Sequence, residues 1–220
     1  KNIDQLYKQL NLYKLRSKFE ILNLSNEFVV AVLSKEKFLT LDNSKDQEGW
    51  TIKFREDPIF LDPRSKNLGA RLIINLEKLY LSLKKLELKT ANVEDYYRHS
   101  HELGISQIDN QNLQNKIFGI ECNFEELNGI DFKKGCYVGQ ENTTRIKLKE
   151  KLNNRLFAIK VLEGKINSEE IILEDKKIGK LLINNQNPFA LIKFQNNKFN
   201  FDDIYKCGNA IIKVQKPEWL

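Results

Sequence analysis

Cys136 stands in a stretch unlike its surroundings, Lys133-Lys134-Gly135-Cys136-Tyr137-Val138-Gly139-Gln140-Glu141, followed by Arg145. Two glycines flank the Cys-Tyr pair, which allows tight turns and close approach of another group to the main chain. Lys134 is a fixed positive charge beside the sulfur and favours thiolate over thiol, the form needed for nucleophilic or redox chemistry; burial would act the other way. On residues alone two readings stand: a reactive thiol, or a glycine-bounded turn with an inert cysteine.

Other polar residues carry less chemistry. His99 and His101 fall two apart in a helical segment and so face different sides, which suits surface or cap histidines better than a metal pair. Cys122 and Cys207 lie where any small apolar residue would serve, and three cysteines without a C-x-x-C point away from a disulfide framework and toward a reducing compartment. The Asp62-Pro63-Arg64 segment is expected to set a turn and an ion pair, with Arg64 lining a cleft as the alternative. Lysine runs such as Lys84-Lys85 and Lys176-Lys177 read as solvated faces.

The chain of 220 residues is long enough to bury one large core or two ordinary ones. Its 41% hydrophobic and 30% charged residues describe neither a collagenous nor a disordered protein. A net charge of +6 and a pI near 9.0 raise nucleic-acid binding as a class. Yet 29 of the 36 basic residues are Lys and only 7 are Arg, as a gene rich in A and T would encode. No apolar run approaches the ~20 residues of a membrane helix. With no Met in the chain, Lys1 is expected to be a cut edge rather than a translational start.

The elements that must position these residues divide into a mixed portion and an all-β one. Ile3 to Arg16 has helical spacing. Phe19–Leu24 and Phe28–Leu33 are expected as adjacent strands, Trp50–Phe54 and Arg71–Asn75 as further strands, and Asp57–Arg64 as a polar, proline-containing separator. Asn92 caps a helix from Val93 to Leu103 that Gly104 ends. A short helix is expected over Asp109–Asn115, and Asn123-Phe124-Glu125-Glu126 has the spacing of a capping box. After Glu150, short runs at Asn154–Leu162, Glu170–Leu173, Lys177–Ile183, Ala190–Phe194, Lys198–Phe201 and Ala210–Val214 suggest a small barrel or sandwich. The boundary is expected in the basic stretch Lys147–Lys151, dividing 1–147 from 148–220.

Lys134-Gly135-Cys136-Tyr137-Val138-Gly139-Gln140-Glu141 resembles the K-G-C-Y-x-G-Q-E signature of the YgfZ family, relatives of the glycine cleavage T-protein. Leu15-Arg16-Ser17-Lys18, Asp62-Pro63-Arg64 with Leu68-Gly69-x-Arg71, Tyr97-Arg98 before Gly104-Ile105, and Leu127-Asn128-Gly129-Ile130 resemble other family elements in the expected order. The resemblance implies an α+β, T-protein-like fold, with mixed lobes around a central folate cleft followed by a small C-terminal β-barrel. It implies an accessory protein that binds tetrahydrofolate or another reduced folate and supports assembly or repair of [4Fe-4S] enzymes, including radical enzymes that modify tRNA. The partners implied are folate and iron-sulfur proteins or their assembly factors, with no membrane and no direct tRNA contact. The compartment implied is the bacterial cytoplasm, or the mitochondrial matrix in a eukaryote. Aminomethyl or one-carbon transfer and tRNA binding are the alternatives. Cys136 is the expected reactive centre with Lys134 beside it; Tyr137, Gln140, Glu141, Arg145 and Arg64 are the expected folate contacts, and no metal site is expected. Glu141 is read as fixing the signature loop through Arg145 rather than as meeting the pterin.

Overall fold

A computed structural model describes residues 3–137, 139–148, 152–194 and 199–220. The chain packs as two units, one of 1–62 with 69–90 and one of 63–68 with 91–220. Of the expected elements, Val138, the boundary residues 149–151 and Lys198 lie outside the described residues.

The first unit opens with helix α1 (Ile3–Lys14), none of whose residues is buried. Strands β1 (Phe28–Leu33), β2 (Thr51–Phe54), β3 (Asp57–Leu61) and β4 (Ala70–Asn75) form an antiparallel sheet in the order β1-β4-β3-β2. Alternation places Ile59 and Leu61 of β3, and Ala70, Leu72 and Ile74 of β4, on one buried face. There they pack with Phe38 from the short helix α2 (Lys35–Leu39) and with Leu79 from α3 (Leu76–Lys85), whose first turn Asn75 caps through Glu77 N–H. Two expectations fail in this unit. Residues 19–24 form no strand, since Phe19, Leu22 and Leu24 stay exposed and meet no ladder. The expected separator at Asp57–Arg64 contains β3: Pro58 sits where β3 is paired only with β2, at Lys53, so its missing N–H removes no bond toward β4.

The second unit carries α4 (Val93–Glu102), capped by Asn92 and ended by Gly104 at φ +73°. A 3₁₀ turn follows at Asn110–Leu113, then a run of turns to Asn128, and helix α5 (Gln140–Leu148). The final six strands are β5 (Asn154–Glu163), β6 (Glu170–Leu173), β7 (Lys176–Ile183), β8 (Phe189–Lys193), β9 (Tyr205–Cys207) and β10 (Ala210–Val214). They close a barrel in the order β10-β5-β8-β7-β6-β9. Phe157, Ile159, Ile171, Ile192, Tyr205 and Ile212 fill its interior. The barrel recruits Tyr205–Cys207, which no expected strand covered, while residues 199–201 form no strand. Phe199 instead stacks on Tyr205 at 5.9 Å and on Phe157 at 6.2 Å. Among the described residues no helix is long and apolar enough to cross a membrane.

Candidate functional site

Helix α5 begins on the signature itself. Gln140 Oε1 accepts from the Tyr137 backbone N–H at 3.2 Å, while Gln140 N–H donates to the Tyr137 carbonyl at 3.1 Å, so the loop closes on itself around one residue pair. Gly139 holds φ +87°, a conformation that side-chain-bearing residues resist, and its carbonyl accepts from both Thr143 N–H and Thr143 Oγ1. Gly135 has no such backbone demand; a methyl group there would meet nothing within 4 Å among the described residues. Its α-carbon leaves the main chain open beside the cysteine.

This framework exposes the Cys136 thiol and half-buries Tyr137. Lys134 Nζ lies 4.7 Å from the centre of the Tyr137 ring, a cation–π distance, so its charge is engaged with that ring. The Tyr137 hydroxyl is buried without a hydrogen-bond partner among the described residues. Cys136, Tyr137, Gln140, Glu141 and Arg145 line one shallow, largely apolar surface groove with Thr144 and Leu148. The structure therefore brings together five of the seven expected residues, and Lys134 meets them through the Tyr137 ring. Among the described residues no ion pair joins Glu141 to Arg145. Both are exposed on α5, and the loop is fixed by the Tyr137–Gln140 pair instead.

Arg64 stands apart, in a second cavity of about 510 Å³ within the same unit. With the Gln107 amide turned to satisfy its neighbours, Gln107 oxygen accepts from Arg64 Nη1 at 3.1 Å, Arg64 Nη2 at 3.0 Å and the Tyr96 hydroxyl at 3.1 Å. Leu113, Ile117, Cys122, Phe124, Leu127 and Leu156 supply much of the apolar wall. Burial pushes the Cys122 thiol up to about 12, with the Glu121 carboxylate adding to the effect, so it is a poor nucleophile.

The histidines serve separate structural contacts: His99 Nε2 meets Asn67 O at 2.7 Å and His101 Nε2 meets Pro188 O at 3.0 Å. Among the described residues no group of three or more His, Cys, Asp or Glu side chains could hold a metal ion. The expected capping box at Asn123 is not one. Asn123 has φ +61° and donates from Nδ2 to Leu156 O at 2.8 Å, and Glu126 pairs with Arg155. Arg155 Nη1 also donates to Asn123 Oδ1 at 3.2 Å, tying the segment before the signature to β5. Sequence reasoning missed this anchor, although a lone arginine opening the apolar run Leu156-Phe157-Ala158-Ile159 was its visible sign.

No family model matches the chain. Individual relatives do. It is 30% identical over 183 residues to a protein of Dictyostelium discoideum named iron-sulfur cluster assembly factor IBA57 homolog, mitochondrial, covering 80% of this chain and 44% of that one. It is 29% identical over 153 residues to the tRNA-modifying protein YgfZ of Buchnera aphidicola, covering 66% of this chain and 46% of that one. The chain belongs to the YgfZ/IBA57 family. It spans less than half the length of these YgfZ/IBA57 relatives. The fold agrees: a glycine cleavage system aminomethyltransferase T from Bartonella henselae superposes with a TM-score of 0.67 over 100% of this chain and 66% of that one, at 9% identity. This YgfZ/IBA57 member thus has the α+β, T-protein-like fold with a C-terminal barrel.

Proposed function

We propose that this chain is part of a reduced-folate-binding accessory protein that supports the assembly or repair of iron-sulfur enzymes, tRNA-modifying radical enzymes among them. The observation that carries the reading is the exposed Cys136 thiol on a loop locked by Tyr137 and Gln140, in a chain whose relatives are named for iron-sulfur cluster assembly. A free thiol held at the surface beside the Tyr137–Gln140 pair suits transfer or exchange with a partner protein better than it suits a packing role.

The residues present fit a folate by type. Tyr137 offers a half-buried ring and an unpartnered hydroxyl, Gln140 and Glu141 offer polar edges, and Arg145 and Arg64 offer cations for carboxylates. A reduced folate would supply a one-carbon carrier. Cys136 is the working group and Lys134 orients Tyr137 beside it. The partners are iron-sulfur proteins or their assembly factors, in the bacterial cytoplasm or the mitochondrial matrix.

The test is complementation of a strain lacking the full-length gene, scored by the activity of a [4Fe-4S] enzyme, with folate affinity measured in parallel. Cys136→Ala is expected to abolish rescue while folate affinity stays within about two-fold. Full rescue by Cys136→Ala overturns the thiol's role, and absence of folate binding by the full-length protein overturns the ligand.

A further inference from the structure

We infer that Lys147 is a positioning residue for Cys136: its pair with Glu125 docks the signature helix on a turn that the barrel holds in place. Helix α5 runs for nine residues, and none of them is buried. A helix below ~12–15 residues is marginal in water unless packing holds it down. With no buried side chain, α5 must be held at its ends. At its first turn the Tyr137–Gln140 pair and the bonds of Thr143 to Gly139 O close within the signature segment itself. Among the described residues, the hydrogen bonds and ion pairs of α5 reach beyond that segment at one point, Lys147, which pairs with Glu125. The same ammonium lies 4.0 Å from the centre of the Phe132 ring, so a carboxylate and an aromatic face share it. Neither Lys147 nor Glu125 belongs to the signature.

The far end of this contact is firm. Glu126, the next residue, pairs with Arg155 near the start of β5. Arg155 is buried, donates from Nη1 to Asn123 Oδ1 at 3.2 Å and sits over the Phe194 ring at 5.7 Å. Asn123 Nδ2 donates in turn to Leu156 O at 2.8 Å, and Leu156 N–H donates to Glu121 O at 2.8 Å. The turn bearing Glu125 is thus fastened to β5 on both sides of that residue. One charged contact between this fixed turn and a helix that buries nothing sets where α5 points, and with it the Cys136 loop at its N-terminal end.

The inference rests on Cys136 as the working thiol, and two readouts keep the two apart. Amide exchange over residues 143–147 is followed in the 220-residue chain, and rescue of the [4Fe-4S] enzyme in the strain lacking the full-length gene. The variants are Lys147→Gln, Glu125→Gln, Lys147→Arg and the exchanged pair Lys147→Glu with Glu125→Lys. Each neutral substitution is expected to speed exchange about ten-fold and to lower rescue, while the thermal midpoint stays in place because α5 buries nothing. Lys147→Arg and the exchanged pair are expected to keep both near the native values. Exchange that ignores both neutral substitutions overturns the docking contact, and faster exchange with rescue unchanged overturns its part in positioning Cys136. If Cys136→Ala itself gives full rescue while exchange still responds, the thiol reading fails and the attachment of α5 through Lys147 stands.

Discussion

The carboxylate of Asp62 accepts from Arg71 Nε at 2.6 Å, joining the aspartate that precedes Pro63-Arg64 to the arginine that follows Leu68-Gly69-Ala70. The Asp62 side chain is 2% exposed, so the pair is removed from water on the carboxylate side. Gly69 makes the geometry possible: at φ +89° its carbonyl accepts from Asp62 N–H at 3.0 Å, and a Cβ there would stand 2.3 Å from Leu33 O.

Arg71→Ala should therefore cost the first unit about 1.5–3 kcal/mol, because it removes a charge-assisted hydrogen bond from a buried carboxylate. Urea unfolding measures this. A loss below about 1 kcal/mol would mean that the pair is no stronger than an exposed surface bridge.

The three cysteines should react in a fixed order. Cys136 is exposed, burial pushes Cys122 up to about 12, and burial raises Cys207 as well. At pH 8 a disulfide reagent should titrate one thiol quickly in the folded chain and three after denaturation. Mass mapping should place the fast label on Cys136; a fast label on Cys122 would contradict the packing around it.

His101 should make stability fall on acidification. Burial lowers its pKa below 6.5, outweighing the raising effects of its bond to Pro188 O, of Glu102 and of the Ile159 backbone; its ring packs edge-on to Phe189 at 5.2 Å. The folded state thus favours the neutral ring, and the unfolded chain takes up the proton first. The stability contribution is complete above about pH 6.5 and is lost as pH falls from there through the folded value. Unfolding midpoints between pH 7.5 and 5 should show this slope for the native chain and a shallower one for His101→Phe.

Gly139 and Gly135 should behave differently despite sharing the signature. Gly139→Ala forces a side chain into φ +87° and should cost about 1–2 kcal/mol. Gly135→Ala meets open space and no positive φ, so the thermal midpoint should not move. Loss of complementation by the second variant with stability intact would mark the bare main chain beside Cys136 as a contact surface.

Much of this was readable in advance where the cause is local. The α4 caps Asn92 and Gly104 sit at each end of a helical pattern, and the apolar runs Phe28–Leu33 and Ala210–Val214 form strands, although Val30 and Val32 of the first stay exposed. What was misread has its cause far along the chain. Asn123 and Glu126 look like a capping box because their partner, Arg155, is about thirty residues away. The link between Glu141 and Arg145 was inferred from helical spacing, whereas the loop is closed by Gln140, a residue whose role depends on a bond to a main-chain N–H.

The barrel is not joined equally around its circumference. Strands β10, β5, β8, β7 and β6 follow one another through ladders of four or five residue pairs, three of them with a bulge, and β9 is fastened to β10 over three residue pairs. Between β6 and β9 the register records one pair, Ile172 with Lys206, and the rest of that seam is a single bridge of Ile166 with Gly208 and the bonds of Cys207 Sγ to Ser168 O and of Asn209 N–H to Asn167 Oδ1. A cylinder stitched this way has a direction of unrolling built into it. Its first opening in heat or denaturant is expected as a slit along that line, leaving a curled six-stranded ribbon, and faster amide exchange at Lys206 than at the paired residues of β5 and β8 would show it.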